Sequence, residues 1–206
     1  MIVSNYPQGT DEWLSARRGV ITGSRAKDAR SKLKGGGMSD KAVLYAMDTA
    51  RERLGGLAEQ PYVNAAMRMG QEQEPVARAA YEVTTGKMVE EAGFITTDDG
   101  IYGCSVDGLI GDDGVWECKT IVSSKTLFTA VVDHDIGDYV DQINFSLWLL
   151  GRLWCDLVLW APDLRRPMTI IRVERNDNAI ELLEADLVAF EKVVSGFEAK
   201  LAAALG

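Results

Sequence analysis

The stretch Cys104-Ser105-Val106-Asp107-Gly108-Leu109-Ile110-Gly111-Asp112-Asp113-Gly114-Val115-Trp116-Glu117-Cys118-Lys119 decides how this chain reads. Two strand-like runs, Cys104 to Ile110 and Val115 to Val122, flank Gly111-Asp112-Asp113-Gly114. Glycine and aspartate are the residues of tight hairpin turns. Strand side chains alternate, so Glu117 and Lys119 point to one face. If residues 111–113 form a three-residue loop, Asp107 pairs with Glu117 and Ser105 with Lys119. Paired carboxylates of this kind have Cβ atoms about 4.5–5.5 Å apart and repel. A strict two-residue loop puts them on opposite faces instead. A divalent cation between them reverses the repulsion, and an oxygen-only ligand set suits Mg²⁺ or Mn²⁺. An ammonium beside a metal-bound water orients it and stabilises charge on a phosphate. Two carboxylates and a lysine are therefore a minimum for metal-assisted phosphodiester hydrolysis. The bland alternative is a solvated strand face.

Outward from the hairpin, Met88 to Thr96 reads as a strand and Tyr62 to Thr85 as one long helix, with Pro75 a kink or restart and Gly86 its C-terminal cap. Upstream, Thr10 caps a helix carrying Trp13, and Gly19 ends it. Ile21-Thr22-Gly23-Ser24 starts another helix to about Leu33, capped by Thr22 or Ser24, and Ser39 caps one to about Leu54. Lys34-Gly35-Gly36-Gly37-Met38 reads as a mobile loop. Downstream come an amphipathic helix from Tyr139 to Leu150 and a strand pair, Trp154 to Trp160 and Met168 to Glu174. A final helix runs from Ala179 to Leu205, its stripe Leu182, Leu183, Leu187, Phe190, Val194, Phe197 and Leu201 facing the core. The order predicts an α/β (α+β) chain with a central mixed β-sheet flanked by helices. One domain spans 1–206, with a helical part over about 1–86 and the sheet and its helices over about 87–206.

The composition of the 206 residues excludes several classes. Hydrophobic residues at 47% and charged residues at 26% describe a globular chain, and no apolar run approaches a membrane span. Met1 to Pro7 is too short and polar for a signal peptide, so the expected compartment is the cytoplasm. Three cysteines cannot build a disulfide framework, a four-thiolate zinc site or an iron–sulfur cluster. The single histidine, His134, lies between Asp133 and Asp135 and reads as a solvated loop residue. No phosphate-loop signature surrounds Gly86-Lys87. The net charge of -9 argues against nucleic acid. Its distribution does not: Arg17 to Lys34 holds seven basic residues and one acid, Asp28, a local +6. That segment is either a solvated helix face or an anion site.

Four blocks together carry a specific resemblance. They are Gln8-Gly9-Thr10-Asp11-Glu12-Trp13-Leu14 leading into Arg17-Arg18-Gly19-Val20-Ile21-Thr22-Gly23-Ser24; Met69-Gly70-Gln71-Glu72-Gln73-Glu74; Ser105-Val106-Asp107-Gly108-Leu109 with Glu117-Cys118-Lys119; and Tyr139-Val140-Asp141-Gln142-Ile143-Asn144-Phe145-Ser146-Leu147-Trp148. In this order and spacing the chain resembles the phage lambda exonuclease and YqaJ-type viral recombinase nucleases, a branch of the PD-(D/E)xK superfamily.

The resemblance implies that Asp107, Glu117 and the Cys118 carbonyl hold Mg²⁺ or Mn²⁺, two ions per site, with Glu74 adding a carboxylate. It implies that Lys119 positions or activates the attacking water and that Gln142 assists. Where related helicase-associated nucleases have tyrosine four residues after that glutamine, this chain has Ser146. Arg17 and Ser24 would grip the 5′-phosphate of a DNA end, with Arg18 as the alternative arginine and Arg25 and Ser105 at the same DNA-binding side. The implied activity is 5′-to-3′ degradation of one strand of linear duplex DNA to mononucleotides, leaving a 3′ overhang for recombination. A homotrimeric ring and a phage-type single-strand annealing protein are the implied assembly and partner; Met67 and Met69, at the start of the long helix, read first as helix packing, with splitting of the terminal base pair as the alternative. The alternatives are an endonuclease of the same superfamily and a non-catalytic DNA-end scaffold.

Overall fold

The hairpin closes on a three-residue loop. In the computed structural model, which describes residues 1–6, 8–57 and 65–206 (side chains of 65–67 excepted), Ile110 pairs with Gly114, Leu109 with Val115 and Gly108 with Trp116. A short strand, β1 (Ile2–Ser4), and a helix, α1 (Asp11–Ala16), open the chain, and Thr10 Oγ1 caps α1 by accepting from the Trp13 amide at 3.2 Å. Then follow β2 (Ile21–Thr22), a single 3₁₀ turn (Gly23–Arg25), α2 (Ala26–Ala29) and α3 (Asp40–Arg53). The long α4 (Ala65–Thr85) carries Pro75 within one continuous helix, and Gly86 follows with φ of 71°. Residues 62–64, where this helix was expected to begin, lie outside the described residues, as does the Met67 side chain.

The strands β3 (Phe94–Thr96), β4 (Tyr102–Ser105), β5 (Gly108–Ile110) and β6 (Gly114–Thr120) come next. A short helix, α5 (Ser124–Leu127), runs on as a π-helical turn to Val132, and sequence patterning gave no sign of either. The chain finishes with α6 (Val140–Leu150), β7 (Trp154–Trp160), β8 (Met168–Glu174) and α7 (Asp177–Leu205). Among the described residues no helix is long and apolar enough to cross a membrane.

Among the described residues the β-structure forms two four-stranded mixed sheets, ordered β1-β3-β4-β2 and β5-β6-β7-β8. Neither Cys104–Ile110 nor Met88–Thr96 is the single strand expected. Both cross between sheets at one place. Phe94 pairs with Ser105 in the first sheet, and Glu90 bridges Leu109 in the second, in the same antiparallel register. Between these points Val106 and Asp107 leave the ladder. Gly108 allows the crossing, because a Cβ there would lie 2.2 Å from Val89 Cγ1. Ser105 therefore pairs with Phe94 and not with Lys119.

One apolar core joins α3, α6 and α7 to both sheets through Tyr45, Phe145, Leu157, Leu187 and Phe190. A second, with Ala77, Tyr81, Trp116, Val158 and Trp160, packs α4 on the other face of the second sheet. Along α7, Leu183, Leu187, Phe190 and Val194 face inward, whereas Leu182 points to solvent. The expected helix from Thr22 to Leu33 is only a strand, a 3₁₀ turn and four helical residues. Ile21 and Thr22 pair with Tyr102 and Gly103, so sheet pairing overrides helical propensity there. The glycine loop after Lys34 is tied by a bridge from Lys32 to Met38.

Candidate active site

The break between the sheets sets up the site. Asp107 lies one residue beyond the end of the β5–β6 ladder, and its Oδ2 accepts the amide of Cys118 at 2.8 Å. Continuing the register brings Asp107 opposite Glu117, as a three-residue loop requires. Glu117 is buried on the central strand of the sheet. Its Oε1 accepts from Lys119 Nζ and from Gln142 Nε2, both at 2.6 Å. Gln142 projects from the first turns of α6, and Ser146 donates to the Gln142 carbonyl at 3.1 Å. From the opposite side, α4 brings Glu74 to the wall of a cavity of about 740 Å³ that Asp107 also lines. Met69, on the same helix, is half-buried.

Electrostatics mark these groups as mutually dependent. Burial, and then the charge of Glu117, push the Asp107 carboxyl well above the usual range. Burial also raises Glu74, with Arg78 opposing it and Glu117 reinforcing it. Burial alone would lower the Lys119 ammonium, but Glu117 and Asp107 outweigh it and hold the group above the ordinary lysine value. Three carboxylates thus gather around Lys119, with Arg78 beside Glu74, and the negative charge left over favours a cation. Among the described residues no three acidic, histidine or cysteine side chains close into a metal cage. Two carboxylates and a backbone carbonyl fit an ion such as Mg²⁺, which keeps several waters and takes one or two protein carboxylates.

A second cluster adjoins the first through Ser105. Its Oγ accepts from Trp13 Nε1 at 3.2 Å and from Arg17 Nη1 at 3.4 Å, and Arg17 Nη2 reaches Ser24 Oγ at 3.4 Å. The guanidinium lies 4.3 Å from the Trp13 ring centre and 5.1 Å from that of Phe94. It makes no ion pair among the described residues, and burial holds its pKa below the usual value. A half-buried arginine with no acidic partner among the described residues, flanked by two hydroxyls, suits an anion. Ser24 reaches it from a 3₁₀ turn and not, as expected, from a helix N-cap. Trp13 is the residue that sequence reading missed. Its position four residues before Arg17, at the end of the same helix, is a stacking signal.

The other predicted DNA-binding residues stand elsewhere. Arg18 lines a separate hollow with Ser15, Glu52 and Glu198. Arg25 stacks 3.8 Å from the Tyr45 ring centre and pairs with Asp28 and Asp48. Most of the basic segment is neutralised in the same way. Lys27 meets Asp138, Arg30 meets Asp141 and Asp186, and Lys32 meets Asp186. The local +6 is therefore largely cancelled by acids from remote elements, and His134 lies exposed in its loop.

Comparisons with known proteins bear on the family and the fold. The family described as the YqaJ-like viral recombinase domain matches residues 12–152. An alkaline exonuclease (LHK-Exo) from Laribacter hongkongensis, also solved in complex with dAMP, is 33% identical. The match covers 96% of this chain and 100% of that one, with a TM-score of 0.82. A phage related exonuclease from Haemophilus somnus 129PT shares the fold at 16% identity and a TM-score of 0.72, over 88% of this chain and 96% of that one. No curated protein matches. With its α/β fold, its hairpin carboxylates and its lysine, the chain belongs to the YqaJ-like viral recombinase family.

Proposed function

We propose that this chain is a metal-dependent exonuclease that degrades one strand of linear duplex DNA from its 5′ end, releases 5′-mononucleotides and leaves a 3′ single-stranded overhang. The observation that carries this reading is the spacing of the two clusters. Ser105 of the anion receptor and Asp107 of the carboxylate site are two residues apart, at most about 7 Å between Cα atoms. A terminal phosphate held by Arg17, Ser24 and Ser105 thus leaves the next phosphodiester near Asp107, Glu117 and Lys119. Cleavage there frees one nucleotide at a time.

In this reading Asp107, Glu117 and the Cys118 carbonyl hold Mg²⁺ or Mn²⁺, with Glu74 serving a second ion. The bound metal supplies Lewis-acid stabilisation of the phosphate and lowers the pKa of a coordinated water. Lys119, fixed by Glu117, orients the attacking water and offsets charge on the phosphoryl oxygens. Gln142 holds Glu117 in place and leaves its second oxygen free for other contacts. Resemblance extends the proposal to a three-subunit ring threaded by DNA and to a phage-type annealing protein that loads on the exposed strand, with the cytoplasm of a bacterial host as the setting.

The test is digestion of a linear duplex labelled at one 5′ end, with and without Mg²⁺, beside a covalently closed circle. Metal-dependent release of labelled mononucleotide from the linear DNA alone supports the proposal. Cuts in the circle indicate an endonuclease, and tight end binding without cleavage indicates a scaffold.

A further inference from the structure

The cavity beside Asp107 has a feature that the hydrolytic chemistry leaves unused. Glu74 and Arg78 are four residues apart on α4, so they share one face, about 6 Å apart along the axis. Both line the cavity, as do Gln71 and Glu91. Arg78 Nη2 donates to Glu91 Oε1 at 2.7 Å across the cavity wall. The arginine side chain is 23% exposed, but the glutamate that holds it is 79% exposed. An ion pair to so solvated a carboxylate stabilises little. Arg175 also pairs with a solvated carboxylate, Asp177, but it is anchored as well by the Leu147 carbonyl, and Arg30 and Arg53 are held more deeply. Arg30 lies between Asp141 and Asp186, and Arg53 is gripped by both Glu191 oxygens, all on mostly buried carboxylates. Glu91 itself stands at the break where the ribbon leaves one sheet for the other.

We infer that Arg78 is a phosphate-binding residue for the strand being cut, and that Glu91 occupies it when DNA is absent. Resting on the nuclease reading above, the assignment adds a DNA-backbone contact beside Glu74 on α4. DNA entering the cavity replaces the Glu91 carboxylate with a phosphate that flanks the scissile bond. Arg78 can engage phosphate through two N–H groups, which a lysine cannot copy. Glu91 then swings to solvent at little cost, because it is already mostly hydrated. The pair excludes weakly bound anions from the cavity and yields to a phosphate delivered in the right place.

A double-mutant cycle tests this. Binding of a 5′-phosphorylated duplex is measured by fluorescence anisotropy, with Ca²⁺ in place of Mg²⁺ and NaCl varied, for wild type, Glu91→Gln, Arg78→Met and the double variant. Arg78→Lys and thermal melts serve as controls on folding. Glu91→Gln should tighten binding about threefold, the size of one exposed ion pair. Arg78→Met should weaken it roughly tenfold and lower the salt slope by about one, as loss of one phosphate contact does. In the Arg78→Met background, Glu91→Gln should have no effect. Steady-state cleavage should show the Glu91→Gln change in KM with kcat unchanged. Equal tightening by Glu91→Gln in both backgrounds would overturn the inference, since simple removal of a negative charge then accounts for it. So would unchanged binding by Arg78→Met. Failure of the wild type to release mononucleotides would strike the nuclease reading and leave the binding cycle interpretable.

Discussion

Asp156 on β7 and Asp107 just before β5 meet opposite fates. Asp156 on β7 receives every donor it can use: Arg172 through two nitrogens at 2.5 and 3.0 Å, the Tyr81 hydroxyl at 2.5 Å and Lys87 at 3.2 Å. Burial pushes its carboxyl up, but Arg172, Tyr81 and Lys87 overcome this and hold it below the usual value. Asp107 receives the Cys118 amide, faces Glu117 and Glu74, and is held well above the usual range. The first arrangement is complete without a ligand and belongs to the packing of α4 on the sheet. The second, in the metal-dependent reading proposed above, is completed by a cation. A buried acid that lacks compensation is the better functional marker, because stability alone would have removed it.

The sharpest way to break this contrast is to remove Lys119. Lys119→Ala should lower mononucleotide release by about 10³-fold, in the range of positioned proton-transfer groups, while the melting temperature moves little. If activity survives, the hairpin does not carry the chemistry. Next in size, Arg17→Ala should slow digestion of 5′-phosphorylated ends roughly 30-fold, the size of losing a charge-assisted pair, and leave 5′-hydroxyl ends nearly unchanged. Kinetics on the two ends read this directly.

Asp156→Ala should do the reverse of Lys119→Ala. It strands Arg172 and Lys87, and because both are more than a third exposed the loss is discounted to about 2–3 kcal/mol, or a fall in Tm of roughly 5–10 °C. Activity per folded molecule should persist. The smallest effect is pH-linked. The Asp156 carboxyl is lowered on folding, so its stabilisation is present above the unfolded aspartate value, near pH 4, and is lost as pH falls through the lower folded value. Denaturant midpoints measured from neutral to acid pH should drop for wild type and be flatter for Asp156→Asn.

Much of the site was legible because its spacing is local. The loop at 111–113 and the alternation of Glu117 and Lys119 follow from turn chemistry and strand period. The strands Trp154–Trp160 and Met168–Glu174 follow from the same alternation, and α7 from its apolar stripe. What escaped was set by distant partners. Glu90 and Phe94 pair with Leu109 and Ser105 in different sheets, which split two apparent strands. The basic segment looked free because Asp138, Asp141 and Asp186 lie more than a hundred residues away. The Asp156 network, drawn from α4, β7 and β8, left no local pattern at all.

The most direct test is a thermal melt with and without Mg²⁺ for wild type, Asp107→Asn and Asp156→Asn. A ligand that binds only the folded state raises Tm by mass action. The account predicts that Mg²⁺ raises Tm for wild type and for Asp156→Asn, and that Asp107→Asn, more stable than wild type without metal, gains nothing from it. An equal Mg²⁺ shift in Asp107→Asn, or none in wild type, would contradict it.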